Sequence, residues 1–182
     1  GDLMELLSES QEGMLRIGRI VSDLKDFSHV DKDDAIVDND LNSLSDKAIN
    51  VAWNELKYKC EVERDYGELP AIPCNGGQIS QVILNLLVNA AQAIEKQGKL
   101  IIRTGISGNA AFLTVSDNGP GISEENLSKI FDPFFTTKPV GKGTGLGLHI
   151  CQKIIASHGG TLSVRSESGA GAAFTFTIPL GI

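Results

Sequence analysis

Residues 117–148 read DNGPGISEENLSKIFDPFFTTKPVGKGTGLGL, and the two ends of this stretch decide how the rest of the chain must fold. It opens with an acid in a glycine-proline turn, Asp117-Asn118-Gly119-Pro120-Gly121, and closes on three alternating glycines, Gly143, Gly145 and Gly147. Gly and Pro punctuate turns, and Gly alone reaches positive φ cheaply, so both ends present backbone at loops. Between them, a short amphipathic piece over 124–131 leads into a loop rich in Phe and Thr. A fixed acid and two glycine clusters in one segment fit a ligand clamp better than a linker. The flanking chain has to supply the other walls.

Just upstream, 100–105 and 111–116 are β-rich runs separated by Ser107-Gly108-Asn109, a hairpin signature. Before them the spacing predicts a long helix over 77–96. Its apolar residues, among them Ile79, Val82, Ile83, Leu86, Leu87 and Ala90, cover most of its circumference, so it is central. Nearer the N-terminus, 35–41 reads as a short strand, Asn42 or Ser43 as the cap of a helix, 58–64 as a strand, and 69–73 as an extended segment restricted by its prolines. Downstream of the clamp a helix is expected over 145–158, then a final hairpin of 161–165 and 172–178. Strands on both sides of the helices, many joined as hairpins, predict a mixed sheet with helices on one face: α+β, a two-layer α/β sandwich.

The first residues follow another period. Leu3, Leu7, Met14, Ile17, Val21 and Leu24 recur at steps of four and three, with Leu6, Ile20 and Phe27 in a second row beside them. Two adjacent rows suit a helical bundle. One such helix cannot bury its own face; it packs on the downstream domain, on a partner helix, or on a second copy of the chain. The charged run Asp31-Lys32-Asp33-Asp34 ends it, dividing the chain into 1–32 and 33–182.

The formal net charge of −7 argues against non-specific nucleic-acid binding, so a polyanionic ligand must be held by local donors. No apolar run approaches the roughly 18 residues of a membrane span, and a cytoplasmic setting is expected. Cys60, Cys74 and Cys151 form no CxxC pair and read as reduced thiols.

Within the central helix, Asn85 and Asn89 are four apart and share a face. Asn at such positions needs a partner: its amide bonds to neighbouring loops, or its oxygen ligates a hard cation such as Mg²⁺. Asp117, where a β-run meets a loop, is either a turn-capping acid or a reader of an exocyclic amine. Gly143-Thr144-Gly145-Leu146-Gly147-Leu148 precedes an apolar helix, where exposed amides and the helix dipole favour an anion. This is no Walker A loop, because Gly141-Lys142 is followed by Gly143, and no GxGxxG fingerprint, because position 146 is Leu.

Together, NLLVNAAQAI, DNGPGI, FDPFFTTK and GKGTGLGLHI strongly resemble the ATP-binding catalytic domain of two-component sensor histidine kinases, from about residue 35 to the C-terminus. The resemblance implies a Bergerat-type sandwich holding ATP and Mg²⁺ beneath a lid. It implies Asn89 as the metal ligand, with Asn85 assisting at the phosphates, and Asp117 as the acceptor of the adenine amino group. Gly119, Gly121 and Ile122 would shape that pocket, and Phe131, Phe134 and Phe135 match the phenylalanine box. Gly143 through Leu148 match the second glycine box, Thr144 and Leu146 included. Residues 3–27 resemble the second helix of a dimerisation hairpin whose first helix carries the phosphoacceptor histidine. None of His29, His149 and His158 has the acceptor signature, so this chain is not expected to phosphorylate itself. A homodimeric parent and a response-regulator receiver domain are the implied partners. Two positions depart from the family. Gln92 stands where many members carry Lys, with Lys138 or Lys142 as possible substitutes. Gly171-Ala172 replaces Gly-Thr. These departures motivate the alternative of a nucleotide-binding signalling module without transferase activity. A Glu that would activate water in related ATPases is replaced by Asn85.

Overall fold

The computed structural model describes residues 35–95, 97–139 and 143–181, with Met4, Leu7, Ser10, Gln11, Gly13, Met14, Ile17, Gly18 and Val21 of the N-terminal stretch. Those N-terminal positions are helical, and Leu7, Met14, Ile17 and Val21 of the expected seam are all exposed. The remaining seam residues, His29 and the boundary at 32–33 lie outside the described residues.

Two sheets form. Strand β1 (Val37–Asn39) pairs antiparallel with β3 (Ile72–Cys74). The main sheet has five strands: β2 (Cys60–Tyr66), β4 (Gly98–Ser107), β5 (Ala110–Asp117), β7 (Ala172–Pro179) and β6 (Thr161–Ser166), adjacent in that order. Only β2 and β4 run parallel; every other pair is antiparallel, so the sheet is mixed. Three longer helices, α1 (Leu41–Leu56), α2 (Gly76–Ala93) and α4 (Gly147–Ser157), form the second layer, and α3 (Glu124–Leu127) is a single turn. The expected two-layer α+β sandwich is the observed one.

Register explains the core. Ala111, Leu113 and Val115 of β5 stand opposite Ile178, Phe176 and Phe174 of β7, and all are buried. With a period of two, these pairs put one face of the sheet under the helices. Helix α2 is the hub: it packs on α1, α4 and β5 and buries Ile79, Val82, Ile83, Leu86 and Leu87. Its start is fixed twice. The Asn75 side chain accepts from the Gln78 N–H, while the Asn75 N–H donates to His158 Nε2 at 3.1 Å. His158 Nδ1 is 2.7 Å from the Ile154 carbonyl oxygen, so Nδ1 carries the proton and the ring ties the end of α4 to the start of α2.

Some boundaries differ from expectation for local reasons. Helix α1 begins at Leu41, capped by Asp40, whose carboxylate accepts from the Asn42 and Ser43 N–H groups. Asn42 is occupied elsewhere: its Nδ2 donates to the Gly67 carbonyl and its Oδ1 accepts from the Thr104 hydroxyl. Helix α2 stops at Ala93 because Ile94 turns extended and buries its side chain against Gly98, where β4 begins. Helix α4 cannot start at Gly145, which has φ +68°.

Asp40→Ala should cost about 1 kcal/mol in urea unfolding and Ser43→Ala close to nothing. The reverse order would assign the cap to Ser43.

Candidate functional site

A cleft of about 750 Å³ opens between α2, the end of β5, residues 120–123 and the segment leading into α4. One end is built on Asp117, the last residue of β5, which pairs with Leu100 of β4 and Ala172 of β7. Its Oδ1 accepts from the Gly119 N–H at 2.9 Å, and the Ala172 N–H also donates to the carboxylate. Burial raises the Asp117 pKa above the ordinary carboxylate value, while these two N–H groups pull it down.

Only glycine lets the loops beside Asp117 meet. Gly121 (φ +73°) would place a Cβ 2.1 Å from the Glu167 carbonyl oxygen, and Gly171 (φ +81°) would place one 2.0 Å from the Asp117 carbonyl oxygen. The Gly169 N–H donates to the Pro120 carbonyl at 2.6 Å. The Ile122 N–H donates to the Ser166 hydroxyl, which itself donates to the Gly171 carbonyl. Asp117 is therefore held by a cross-stitched pair of loops.

Helix α2 forms the facing wall. Asn85 and Asn89 both line the cleft. The Asn85 Nδ2 donates to Cys151 Sγ at 3.7 Å, a weak contact to a fully buried thiol that burial pushes up to about 12. Asn89 Oδ1 accepts from the Lys138 ammonium at 3.1 Å, and the same ammonium donates to Gln92 Oε1. Burial lowers the Lys138 pKa.

The third wall runs into α4. Gly143, Thr144, Gly145, Gly147 and Leu148 border the cleft, as do Gly121, Ile122, Phe135 and Lys138. Gly145 touches backbone: a Cβ there would lie 2.3 Å from the Phe134 carbonyl carbon, and its own carbonyl accepts from the Phe134 N–H at 2.9 Å. Phe134 sits at φ +68°, a costly conformation for a bulky residue, with its ring exposed. His149 Nδ1 donates to the Phe131 carbonyl at 3.0 Å, fastening this loop to α4. Gly119, Phe131 and Leu146 stand behind the wall. Leu146 is buried in the core, Phe131 packs against it, and Gly119 acts through its N–H.

Sequence reasoning missed other lining residues. Glu55 enters from α1 and Phe174 closes the side of β7, beside Ala172 of the Gly171-Ala172 pair. No local motif marks Glu55 or Phe174. Gln92 was legible only as a missing lysine, whereas here it is a ligand of Lys138.

A family profile described as histidine kinase-, DNA gyrase B- and HSP90-like ATPases matches residues 74–182, more than half of the chain. The chain belongs to this family. It is also 35% identical over 173 residues to the sensor histidine kinase ZraS of Escherichia coli (strain K12), covering 92% of this chain but 36% of ZraS. The chain thus spans about a third of that relative's length. Among solved structures, the catalytic domain of histidine kinase ThkA superposes with a TM-score of 0.72 at 33% identity, covering 80% of this chain and 95% of that one. ThkA in complex with the response regulator TrrA gives a TM-score of 0.80 at 28% identity, covering 100% and 52%. Membership in an ATPase family implies that the chain binds ATP. Among the described residues, no helix is long and apolar enough to cross a membrane.

Two outcomes follow from the geometry. With Asp117 raised above its ordinary 3.8, the folded chain keeps a proton that the unfolded chain has released, so stability falls as pH climbs through the raised pKa. Asp117→Asn should flatten that decline in a melting series from about pH 4 to about pH 7. A variant profile as steep as wild type would contradict the assignment. Gly145→Ala should lower ATP affinity at least about tenfold, because strain and backbone overlap of roughly 1–3 kcal/mol reshape the wall. Gly18→Ala, in the N-terminal helix and with nothing within 4 Å of the added Cβ, should leave affinity unchanged in the same calorimetric titration.

Proposed function

We propose that this chain is the ATP-binding catalytic part of a protein-histidine kinase, passing the γ-phosphoryl group to a histidine for relay to a response regulator. Residues 33–182 form the catalytic domain, and residues 1–32 are the second helix of a dimerisation hairpin. The observation that carries this reading is the α2 wall: amides at both Asn85 and Asn89, and no carboxylate of that helix on the cleft. Among the described residues, the lining carboxylates are Glu55 of α1 and Asp117, and Asp117 is committed to two backbone N–H groups. A hydrolase needs a base to activate water. Neutral imidazole attacks phosphorus through a nitrogen lone pair, so the cleft can serve transfer without one. A P–N bond forms, the bond from γ-phosphorus to the bridging oxygen breaks with its electrons left on ADP, and the imidazole N–H proton departs to solvent.

The residues divide the work of positioning. Asp117 accepts from the exocyclic amine of adenine, with Gly119, Gly121 and Ile122 shaping that end. Gly143, Gly145, Gly147 and the start of α4 present backbone toward phosphate, where a helix N-terminus favours anions. The donor set suits a hard cation, because Asn89 Oδ1 already accepts a cationic group in this structure. Mg²⁺, when bound, neutralises charge on the phosphate oxygens. Asn89 would hold it, with Asn85 beside it. In phosphoryl transfer such positioning and charge stabilisation supply most of the catalysis.

His149 and His158 are both engaged in fastening helices, so the acceptor is sought on a separate helical segment. Incubation with Mg-ATP and a separately made hairpin bearing the acceptor should give a labelled, acid-labile phosphohistidine, with slow phosphate release in its absence. Asn89→Ala should reduce transfer at least about 100-fold, the loss of roughly 3 kcal/mol of charge stabilisation. No transfer under conditions where ATP binds would favour the second reading, a nucleotide-responsive module without transferase activity, to which Gln92 and Ala172 lend support.

A further inference from the structure

Lys138 lies in the cleft in an unusual way. Its ammonium donates to Asn89 Oδ1 at 3.1 Å and to Gln92 Oε1, amides one turn apart on α2. Both acceptors are neutral. No ion pair reaches Lys138 among the described residues, although Glu55 lines the same cleft. It is also the only basic residue among those described as lining the cleft. An ammonium withdrawn from water onto neutral amides is worth keeping only where negative charge is to arrive.

We propose that Lys138 is a tethered stand-in for the divalent cation: it holds the oxygen of Asn89, supports nucleotide binding when metal is scarce, and must leave that oxygen when a metal–nucleotide complex enters. This rests on the reading of the cleft as an ATP site with Asn89 as metal ligand. Two cations on one amide oxygen repel at short range in a partly dry cleft. The ammonium therefore moves off Asn89 and Gln92 onto phosphate oxygens or into solvent as the site fills. Because Phe135, Thr136 and Thr137 line the cleft just before Lys138, its release also frees these residues from α2.

The proposal separates Lys138 from an ordinary phosphate-binding lysine. An ordinary contact strengthens nucleotide binding by the same factor with and without metal. A stand-in cation strengthens it mainly without metal, and competes when metal is present. The measurement is the dissociation constant of ADP by calorimetry, in excess Mg²⁺ and in excess chelator, for wild type, Lys138→Met and Gln92→Leu. Lys138→Met should weaken ADP at least tenfold in chelator and no more than twofold in Mg²⁺, raising the chelator-to-Mg²⁺ ratio at least fivefold. Gln92→Leu keeps the charge but loosens its tether, so it should raise the same ratio about threefold, chiefly by tightening binding in Mg²⁺. Both side chains are at the surface of the cleft, and melting curves check that the fold is kept. Equal weakening of Lys138→Met in both conditions overturns the stand-in role and leaves the ATP site standing. An unchanged ratio in both variants does the same. Wild type that binds no ADP in either condition overturns the reading of the cleft and this inference with it.

Discussion

The site depends on two loops crossing at the end of β5 with no room for a single Cβ. Gly121 presses on the Glu167 carbonyl and Gly171 on the Asp117 carbonyl, both at positive φ. The contact delivers rigidity where a flexible loop would be fatal. Asp117 is half-buried, and burial raises its pKa, so its charged form is costly unless donors are already in place. The Gly119 and Ala172 N–H groups are in place because the crossing fixes their backbones, and Ala172 stands opposite Asp117 in the ladder between β5 and β7. What remains is a carboxylate with unspent acceptor capacity facing the cleft. The fold tolerates that imperfect burial at the cost of some stability, a common condition for binding sites.

Much of this was legible because it is local. Hairpin turns at Gly108 and the β6–β7 connection, the apolar circumference of α2, and the glycine clusters all carry their reason within a few residues. One boundary moved through contacts distant in sequence. Asn42 reads as a cap from its neighbours, yet Gly67 and Thr104 claim its amide and leave the cap to Asp40. The cleft divides the same way. Asn85, Asn89 and Asp117 announce themselves, whereas Glu55 and Phe174 reach the cleft only because α1 packs beside α2 and β7 beside β5. The Lys138 contact joins residues 46 and 49 positions apart, and no pattern in either segment predicts it.

Charge sets a second constraint. A chain of net charge −7 that accepts a polyanion cannot rely on its overall field, which repels the ligand. Attraction has to come from short-range donors: amides at the start of α4, and one ammonium drawn into the cleft. An arrangement with few fixed cations leaves room for a metal ion to carry most of the neutralisation, so affinity becomes sensitive to that ion. A cleft lined with several arginines would hold nucleotide regardless of metal and lose that dependence.

The N-terminal helix meets the cleft's chemistry at a common point, incompleteness. Leu7, Met14, Ile17 and Val21 follow one seam and are all more than half exposed, and burying each would contribute roughly 1.5–3 kcal/mol. A surface of that kind is stable when another helix covers it. On the reading proposed above, the cleft binds and positions but brings no attacking group: its asparagines cannot take a proton, Asp117 faces adenine, Glu55 comes from α1 and not from the α2 wall, and His149 and His158 are tied into the scaffold. On that reading, one event satisfies both needs. A partner helix that covers the seam also brings an imidazole within reach of the phosphate side of the cleft, so transfer occurs only when the helices are assembled. A site with its own water-activating base would spend ATP without waiting for that assembly. On that same reading, an amide in place of a base at position 85 helps to keep the nucleotide intact until the acceptor arrives.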